Sequence, residues 1–404
     1  MSVDEDTRLR RGEPGFRRAS VAMFAAGVST FVLLYATQPL LPLLARDFQV
    51  TPASSSLTLA LSTGTLALAL LPAGWLSDVW GRTRVMLLAL VASALLGLAA
   101  AAAPTFTVLL VIRALQGIAL AGVPAVGMAY LAEEIHPESL GSSIGLYIGG
   151  NALGGMSGRL LAGALADGGD WRLALLGVGI LSLVCAFLFA RLAPPSRHHV
   201  PGRFAPSQAV ASLAVHLRDR GQLRLEAIAA LLMGTFVAVY NGVSFRLQAQ
   251  PYDLSQAAVA AIFLVYPIGS MSSALAGRLA DRVGRRRVLP AGVLIAVVGV
   301  AVTGLHPLAL IIAGIALLTV GFFAAHSVAS SWVGRRARTA QAQASALYLL
   351  AYYLGSTIAG PLGGAAWSTG RWSDVMALAG GLLAVAFLVA LRLRATPPRV
   401  LAAT

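Results

Sequence analysis

The sequence predicts an all-α integral membrane protein of twelve transmembrane helices, arranged as two pseudo-symmetric bundles of six. Three observations carry that expectation. Apolar residues make up 57% of the chain and charged residues 11%, with a mean hydropathy of +0.78, too little polar surface to clothe a water-soluble globule of 404 residues. The apolar residues fall into runs long enough to cross about 30 Å of hydrocarbon, which takes roughly 20 residues of helix. A short Gly/Asp/Arg pattern also occurs twice, once in each half of the chain. Backbone groups in lipid must pair within their own segment, and these runs are too long and too weakly alternating for barrel strands.

The first six runs lie near residues 20–44, 54–75, 85–103, 106–130, 140–165 and 173–192. The first of them follows Arg17 and Arg18, has no small-residue cleavage site and is too long for a signal peptide, so it reads as a span. The second set lies near 226–248, 256–277, 288–305, 307–332, 342–368 and 372–393. The resulting organisation is a tail over 1–19, a six-helix bundle over 20–193, a solvated linker over 194–225, a second bundle over 226–394 and a tail over 395–404. Pro194, Pro195, Pro201 and Pro206, together with several arginines, mark the linker. Cys185 is the lone cysteine, lies within an apolar run and forms no intrachain disulfide.

The formal charge of +14 would suit a nucleic-acid partner, but all thirty basic residues are arginine and most sit in clusters between apolar runs. That distribution is the positive-inside pattern, so no nucleic-acid partner is expected. Even-numbered links and both tails carry the clusters, except the link after the fourth span, which holds Glu133, Glu134, His136 and Glu138 and no arginine, whereas Arg46, Arg159, Arg172, Arg246 and Arg371 are assigned to odd-numbered links. Both termini and the linker are therefore expected on the cytoplasmic side of a cell inner membrane. Arg113 is left as the one arginine within a span.

The repeated pattern reads Gly74-Trp-Leu-Ser-Asp78-Val-Trp-Gly81-Arg82-Thr-Arg84-Val85 in the first half and Gly277-Arg-Leu-Ala-Asp281-Arg-Val-Gly284-Arg285-Arg-Arg287-Val288 in the second. Pro104 and Pro307 share its offset, and parallel repeats around a midplane site are a recurrent way to build alternating-access transporters. At these residues the chain resembles the major facilitator superfamily, whose loop motif has Gly, Leu, Asp, Gly and paired basic residues at this spacing. Gly277 to Arg287 match it fully, and Gly74 to Arg84 match with Thr83 at one basic position. The resemblance covers nearly the whole chain and, within the superfamily, points to the bacterial drug:proton antiporters with twelve helices. It implies the major facilitator fold and small-molecule transport by alternating access.

Each loop residue has a physical reading. Gly74 and Gly277 would let a neighbouring helix approach closely. Gly81 and Gly284 would take positive φ in a tight turn. Asp78 and Asp281 would face a helix N-terminus or an arginine across the interface between halves, while Arg82, Arg84, Arg285 and Arg287 anchor the loops at lipid headgroups. In the resembling family such contacts latch one side closed. A basic turn that only sets topology would need neither the aspartates nor the glycines.

A charged side chain at mid-bilayer costs on the order of 3 kcal/mol or more, so buried ionisable residues are functional candidates. Arg113, in the stretch Leu109 to Gly117 with Gln116, resembles the fourth-helix pattern associated with proton-coupled members of the family. Since it cannot deprotonate, it would hold an anionic substrate, tune a proton carrier, or serve as a structural hydrogen-bond hub. No acid falls at the centre of a predicted span, which departs from drug antiporters with a membrane-embedded carboxylate. His326, on the tenth run, then reads as a proton relay or a packing histidine, and Asp47 is the next candidate carrier. Tyr35 and Gln38 are expected on one face of the first helix, before Pro39 and Pro42 bend it. With Gln116, Asn151, Tyr240, Asn241, Tyr348 and Tyr352 they mark a candidate substrate path, each being equally readable as interhelical glue.

The chain has no lysine, which excludes a phosphate loop and an ATP-driven pump. His198, His199 and His216 lie in the linker and the spans hold no cluster of acids and histidines, so an enzyme is not expected. The expectation is a monomer without cofactor or metal that exports a small organic compound against protons. Uptake or facilitated diffusion of a small organic anion paired to Arg113 is the alternative, and the lipid bilayer is the remaining partner.

Overall fold

A computed structural model describes residues 8–199, 214–337 and 341–394. The first residues of the N-terminal tail, the middle of the linker with Pro201, Arg203 and Pro206, Arg338, and the whole tail over 395–404 lie outside the described residues. The described chain is helical, with one isolated bridge between Leu9 and Ile135. Helices occupy all twelve predicted stretches: α1 (Pro14–Tyr35), α2 (Leu41–Asp47), α3 (Pro52–Trp80), α4 (Arg82–Ala101), α5 (Phe106–Leu120), α6 (Gly122–Glu134), α7 (Pro137–Leu165) and α8 (Trp171–Leu192), then α9 (Arg220–Gln248), α10 (Gln256–Ala260), a 3-10 turn (Ala261–Val265), α11 (Tyr266–Val283), α12 (Arg285–Val302), α13 (Leu308–Arg336) and α14 (Gln341–Arg394). Among the described residues nine segments are long and apolar enough to cross a membrane. The last of these is two helices, because the backbone of α14 leaves helical geometry at Gly370 and Arg371.

Local chemistry sets the element ends. Thr105, Asp170, Asp219 and Ser255 each accept a backbone N–H in the first turn of the helix that follows, satisfying donors that have no intrahelical partner. Pro39 has no N–H and disfavours helical geometry at Gln38, so the first apolar run breaks at 36–40 and resumes as α2. Pro124 acts alike on the fourth span, leaving the Leu120 carbonyl without its helical donor and dividing α5 from α6.

By its contacts the chain divides into two compact units, Met1–Leu40 with Gly64–Phe204, and Leu41–Thr63 with Ala205–Thr404. In the first unit, α7 lies along α1 on a stripe of Gly150, Gly154 and Gly158. A Cβ on these residues would stand 2.4 Å from the Phe24 carbonyl oxygen, 2.4 Å from that of Val28 and 2.7 Å from Val32 Cα. Small residues are needed because helices in lipid associate by close packing and interhelical hydrogen bonds, without a hydrophobic drive between them. One such bond joins Ser20 to Ser143 at 2.7 Å. In the second unit, α9 and the first part of α14 repeat the device, with Gly355, Ala359 and Gly363 lying on Ala230, Gly234 and Ala238. The stretch Leu41–Thr63 joins this unit through Thr63 and Thr357, whose hydroxyls are 3.1 Å apart, and through a contact between Gly364 and Pro52. The outward faces of both units are apolar, as at Leu68 (66% exposed), Met271 (66%) and Ile358 (62%), which is the surface a bilayer requires.

Candidate functional site

Arg113 is buried on α5, and its guanidinium is directed at the end of α1. It donates to the Leu33 carbonyl at 3.0 Å, to the Leu34 carbonyl at 2.9 Å and to Gln116 Oε1. The Gln116 amide in turn donates to the Ser93 carbonyl at 2.9 Å. Leu33 and Leu34 belong to the last turn of α1, where carbonyls lack helical donors and the helix dipole favours a cation. The arrangement is that of the hydrogen-bond hub, a cap supplied from a neighbouring helix.

A second buried arginine lies close to the same helix end. Arg159 on α7 donates from Nε to Gln38 Oε1 at 2.7 Å and from Nη1 to the Gly155 carbonyl, and its guanidinium lies 4.0 Å from the centroid of the Tyr35 ring. The expectation that Arg113 is the one arginine within a span is therefore corrected. The signal was in the sequence, since residue 159 falls inside the apolar run 140–165. Arg246 is a parallel case on α9: it is buried, donates to the Thr303 and Leu305 carbonyls and lies over Trp372. Tyr35 and Gln38 do meet at one place, but on Arg159 and not on one helix face, because α1 ends at Tyr35 and Gln38 occupies the turn beyond it.

In the second unit, His326 on α13 is half-buried within aromatic rings. Its imidazole stacks on Phe322 at 5.7 Å between centroids with 3° between planes, and it lies 4.8 Å from Tyr352 and 5.6 Å from Tyr348. The Tyr348 hydroxyl is 3.0 Å from His326 Nδ1 and 3.3 Å from the His326 carbonyl. The rings continue from Phe322 to Phe236 at 4.1 Å and from there to Tyr240 at 4.5 Å. Tyr240 is fully buried and shares a 2.8 Å hydrogen bond with Thr319, while Asn241 Nδ2 lies 3.5 Å from Ser56 Oγ. Of the eight polar residues expected along a path, Tyr35, Gln38, Gln116, Tyr240, Asn241 and Tyr348 are buried, and Asn151 and Tyr352 are half-buried. Asp47 is exposed at the last residue of α2.

The two repeated loops share a backbone and differ in charge. Gly81 and Gly284 have φ of +90° and +91°, values that glycine alone adopts readily. Arg82 is held between Asp78 at 2.5 Å and Glu133 at 2.8 Å, with Ser77 Oγ accepting at 2.6 Å. In the second loop Asp281 pairs with Arg285 at 2.9 Å and with Arg335 at 3.4 Å, and Arg285 Nε reaches Ser331 Oγ at 3.3 Å. One arginine between two acids becomes one acid between two arginines. The arginines that Asp78 and Asp281 meet thus lie within their own units. Arg84 and Arg287 are exposed. Gly74 and Gly277 do not serve close approach: no described atom lies within 4 Å of where a Cβ would stand on either. Among the described residues, no other element packs against either position.

Glu133 and Glu134, at the end of α6, were legible only as a gap in the arginine pattern. Glu134 is buried, and its carboxylate accepts the backbone N–H groups of Arg197 at 2.7 Å and His198 at 2.9 Å, with His198 Nδ1 at 3.0 Å. His199 Nε2 lies 3.1 Å from the Asp78 carbonyl, and Tyr130 donates to the Pro194 carbonyl at 3.1 Å. Residues 194–199 are therefore docked on the first unit by these bonds, with Pro195 and Arg197 exposed and the others half-buried, where the sequence suggested a fully solvated linker. On the second unit, Asp219 accepts from Arg336 at 2.7 and 2.8 Å and from the Gly221 N–H at 2.9 Å. Burial acts to raise the Asp219 pKa, but the Arg336 guanidinium and the two backbone N–H groups at the start of α9 outweigh it and hold the carboxyl below its ordinary value.

The family model described as Major Facilitator Superfamily matches residues 21–275 and 248–404. An MFS-type transporter of Bacillus subtilis (strain 168), YybF, is 45% identical over 385 residues, covering 95% of this chain and 94% of that protein. The inner membrane transport protein YnfM of Escherichia coli (strain K12) is 46% identical over 385 residues, covering 95% and 92%. Among solved structures, a bacterial homolog of the human lysosomal transporter Spinster, in an inward-facing and unoccupied conformation, superposes with a TM-score of 0.80 at 16% identity, covering 95% of this chain and 97% of that one.

Proposed function

The chain belongs to the Major Facilitator Superfamily, and on that premise we propose that it exports a small, planar organic compound in exchange for protons by alternating access. It is a multi-pass membrane protein and a secondary transporter, not an enzyme. The observation that carries the proposal is the His326 imidazole, stacked on Phe322, faced by Tyr352 and hydrogen-bonded to Tyr348. An imidazole changes charge near neutral pH, and a protonated one is attracted to the faces of aromatic rings. A planar substrate would use those same faces. Proton and substrate then compete for one set of rings, and mutual exclusion at a site is the coupling that exchange requires.

Uptake of an organic anion paired to Arg113 loses its motivating feature, because the guanidinium donates to Leu33, Leu34 and Gln116. The arginine distribution supports both termini and the linker on the cytoplasmic side, and the relative named as an inner membrane transport protein supports that membrane. The two halves over 20–193 and 226–394 act within a monomer. The loops around Asp78 and Asp281 serve as latches, their ion pairs exchanging partners between states.

Proton flux in everted vesicles tests the proposal. With the vesicle interior acidified, adding a transported aromatic compound should release protons from wild type and not from His326→Gln. Substrate movement by wild type without any pH change would replace exchange by facilitated diffusion. Coupled flux retained by His326→Gln would move the proton to another group, with Asp47 the next to substitute.

A further inference from the structure

A cavity of about 700 Å³ opens on the first unit where the start of α1 meets the last turn of α8. Phe16, Val21 and Leu192 supply its apolar lining, and Arg17 and Arg18 line it as well. Arg18 donates to the Arg191 carbonyl at 3.2 Å, so the backbone of Arg191 borders the cavity while its guanidinium lies beside it, over Phe187. All three arginines are exposed, and among the described residues no ion pair joins any of them. Glu13 also lines the cavity, and its carboxylate accepts the backbone N–H of Arg10 at 3.1 Å, leaving the arginines in excess there.

The apolar lining continues down the outward helix faces. Val21 stands one turn below Arg17 and is 38% exposed. On α8, Phe187 is 55% exposed beneath the Arg191 guanidinium, 4.8 Å from its ring centroid, and Leu188 is 39% exposed. Guanidinium groups recognise phosphate oxygens with paired donors, and basic pockets between transmembrane helices suit anionic lipid headgroups. Free phosphate would use the charge and leave the apolar floor unexplained. A zwitterionic lipid would use the floor and leave three arginines without a matching net charge.

We propose that this cavity binds an anionic phospholipid, its phosphate between Arg17, Arg18 and Arg191 and an acyl chain along Val21 and Phe187. Charge complementarity commits the site to this occupant. The site is independent of the transported compound and of proton coupling.

Native mass spectrometry of the full chain in detergent tests it, with dioleoyl phosphatidylglycerol, dioleoyl phosphatidylethanolamine and inorganic phosphate as separate probes. Wild type should retain phosphatidylglycerol at least about fivefold better than phosphatidylethanolamine and should retain no phosphate. The combined variant Arg17→Gln, Arg18→Gln, Arg191→Gln should lose that preference, and the corresponding three lysine substitutions should keep most of it. A control, Arg278→Gln with Arg282→Gln, should bind as wild type does. Undiminished phosphatidylglycerol on the triple glutamine variant overturns the site, as does equal loss in the control, equal retention of phosphatidylethanolamine, or retention of inorganic phosphate. Should the triple variant not stay monodisperse, Arg18→Gln alone is read by the lipid-induced rise in melting temperature. That rise should be smaller than in wild type, and an equal rise overturns the proposal.

Discussion

Replacing Arg113 by methionine removes a buried donor while keeping a long, flexible side chain in its place. Two carbonyls at the end of α1, those of Leu33 and Leu34, lose donors at 3.0 and 2.9 Å, and Gln116 loses its partner. An unsatisfied buried acceptor costs about 1–3 kcal/mol. Gln116 can rotate, and each carbonyl keeps a second lone pair for a stray water, so the low end applies to two acceptors, about 2–3 kcal/mol in all. At about 2–4 °C per kcal/mol for a unit of this size, the melting midpoint in detergent should fall by roughly 5–10 °C. Arg113→Lys should lose less, because one ammonium can reach one carbonyl but not both in the guanidinium's planar geometry. Thermal unfolding followed by intrinsic fluorescence measures this, with transport assayed alongside. A midpoint unchanged within 1 °C together with loss of transport would refute the capping role and return Arg113 to the substrate.

Three further outcomes follow from the contacts described. At Gly154 a Cβ would stand 2.4 Å from the Val28 carbonyl, whereas at Gly141 on the same helix nothing lies within 4 Å; Gly154→Ala should therefore destabilise by about 1–3 kcal/mol and Gly141→Ala should be neutral or stabilising by up to about 1 kcal/mol. Equal midpoints for the two would contradict the packing of α1 on α7. Since the Asp219 carboxyl is held below its ordinary value in the folded state, its contribution is complete above the unfolded value and is lost as pH falls through the folded one. Asp219→Asn should accordingly lower the melting midpoint at pH 7, and its gap to wild type should narrow as the pH falls below the ordinary carboxyl value of 3.8; a gap constant with pH would count against the Arg336 pair. A double-mutant cycle on Arg82 and Glu133 should give a coupling of about 1 kcal/mol, with a smaller value for Arg285 and Ser331, as the charged bidentate contact exceeds the neutral one. Equal couplings would mean that the two loops are electrostatically alike.

The helices were legible because a helix in lipid satisfies its backbone internally, so apolar length, proline and capping residues are enough to place it. The break of the first span before α2 follows from Pro39, and the glycines at 81 and 284 follow from a tight turn whose positive φ other residue types rarely adopt. Partners of the buried polar groups were not legible in the same way. Gln116 and Arg113 could be read as a pair from their spacing, but the carbonyls they cap lie 80 and 23 residues away. Arg159 and Arg246 were hidden by being assigned to links, although both numbers fall within apolar runs. The glycines misled in both directions: Gly74 and Gly277 stood out in the motif, but among the described residues no other element packs where their Cβ would stand, while Gly150, Gly154 and Gly158 lay outside it and bring α7 onto α1.

What the sequence determined by itself is the family, the helical segments and the duplicated loops, since each depends on residues near one another in the chain. Only the tertiary structure decided that Arg82 is one cation between two acids while Asp281 is one acid between two cations, that Arg113 and Arg159 attend the end of α1, and that His326 sits among aromatic rings. The physical reason is that a backbone finds its hydrogen bonds four residues away, whereas a buried side chain takes its partner from whichever helix packing brings beside it.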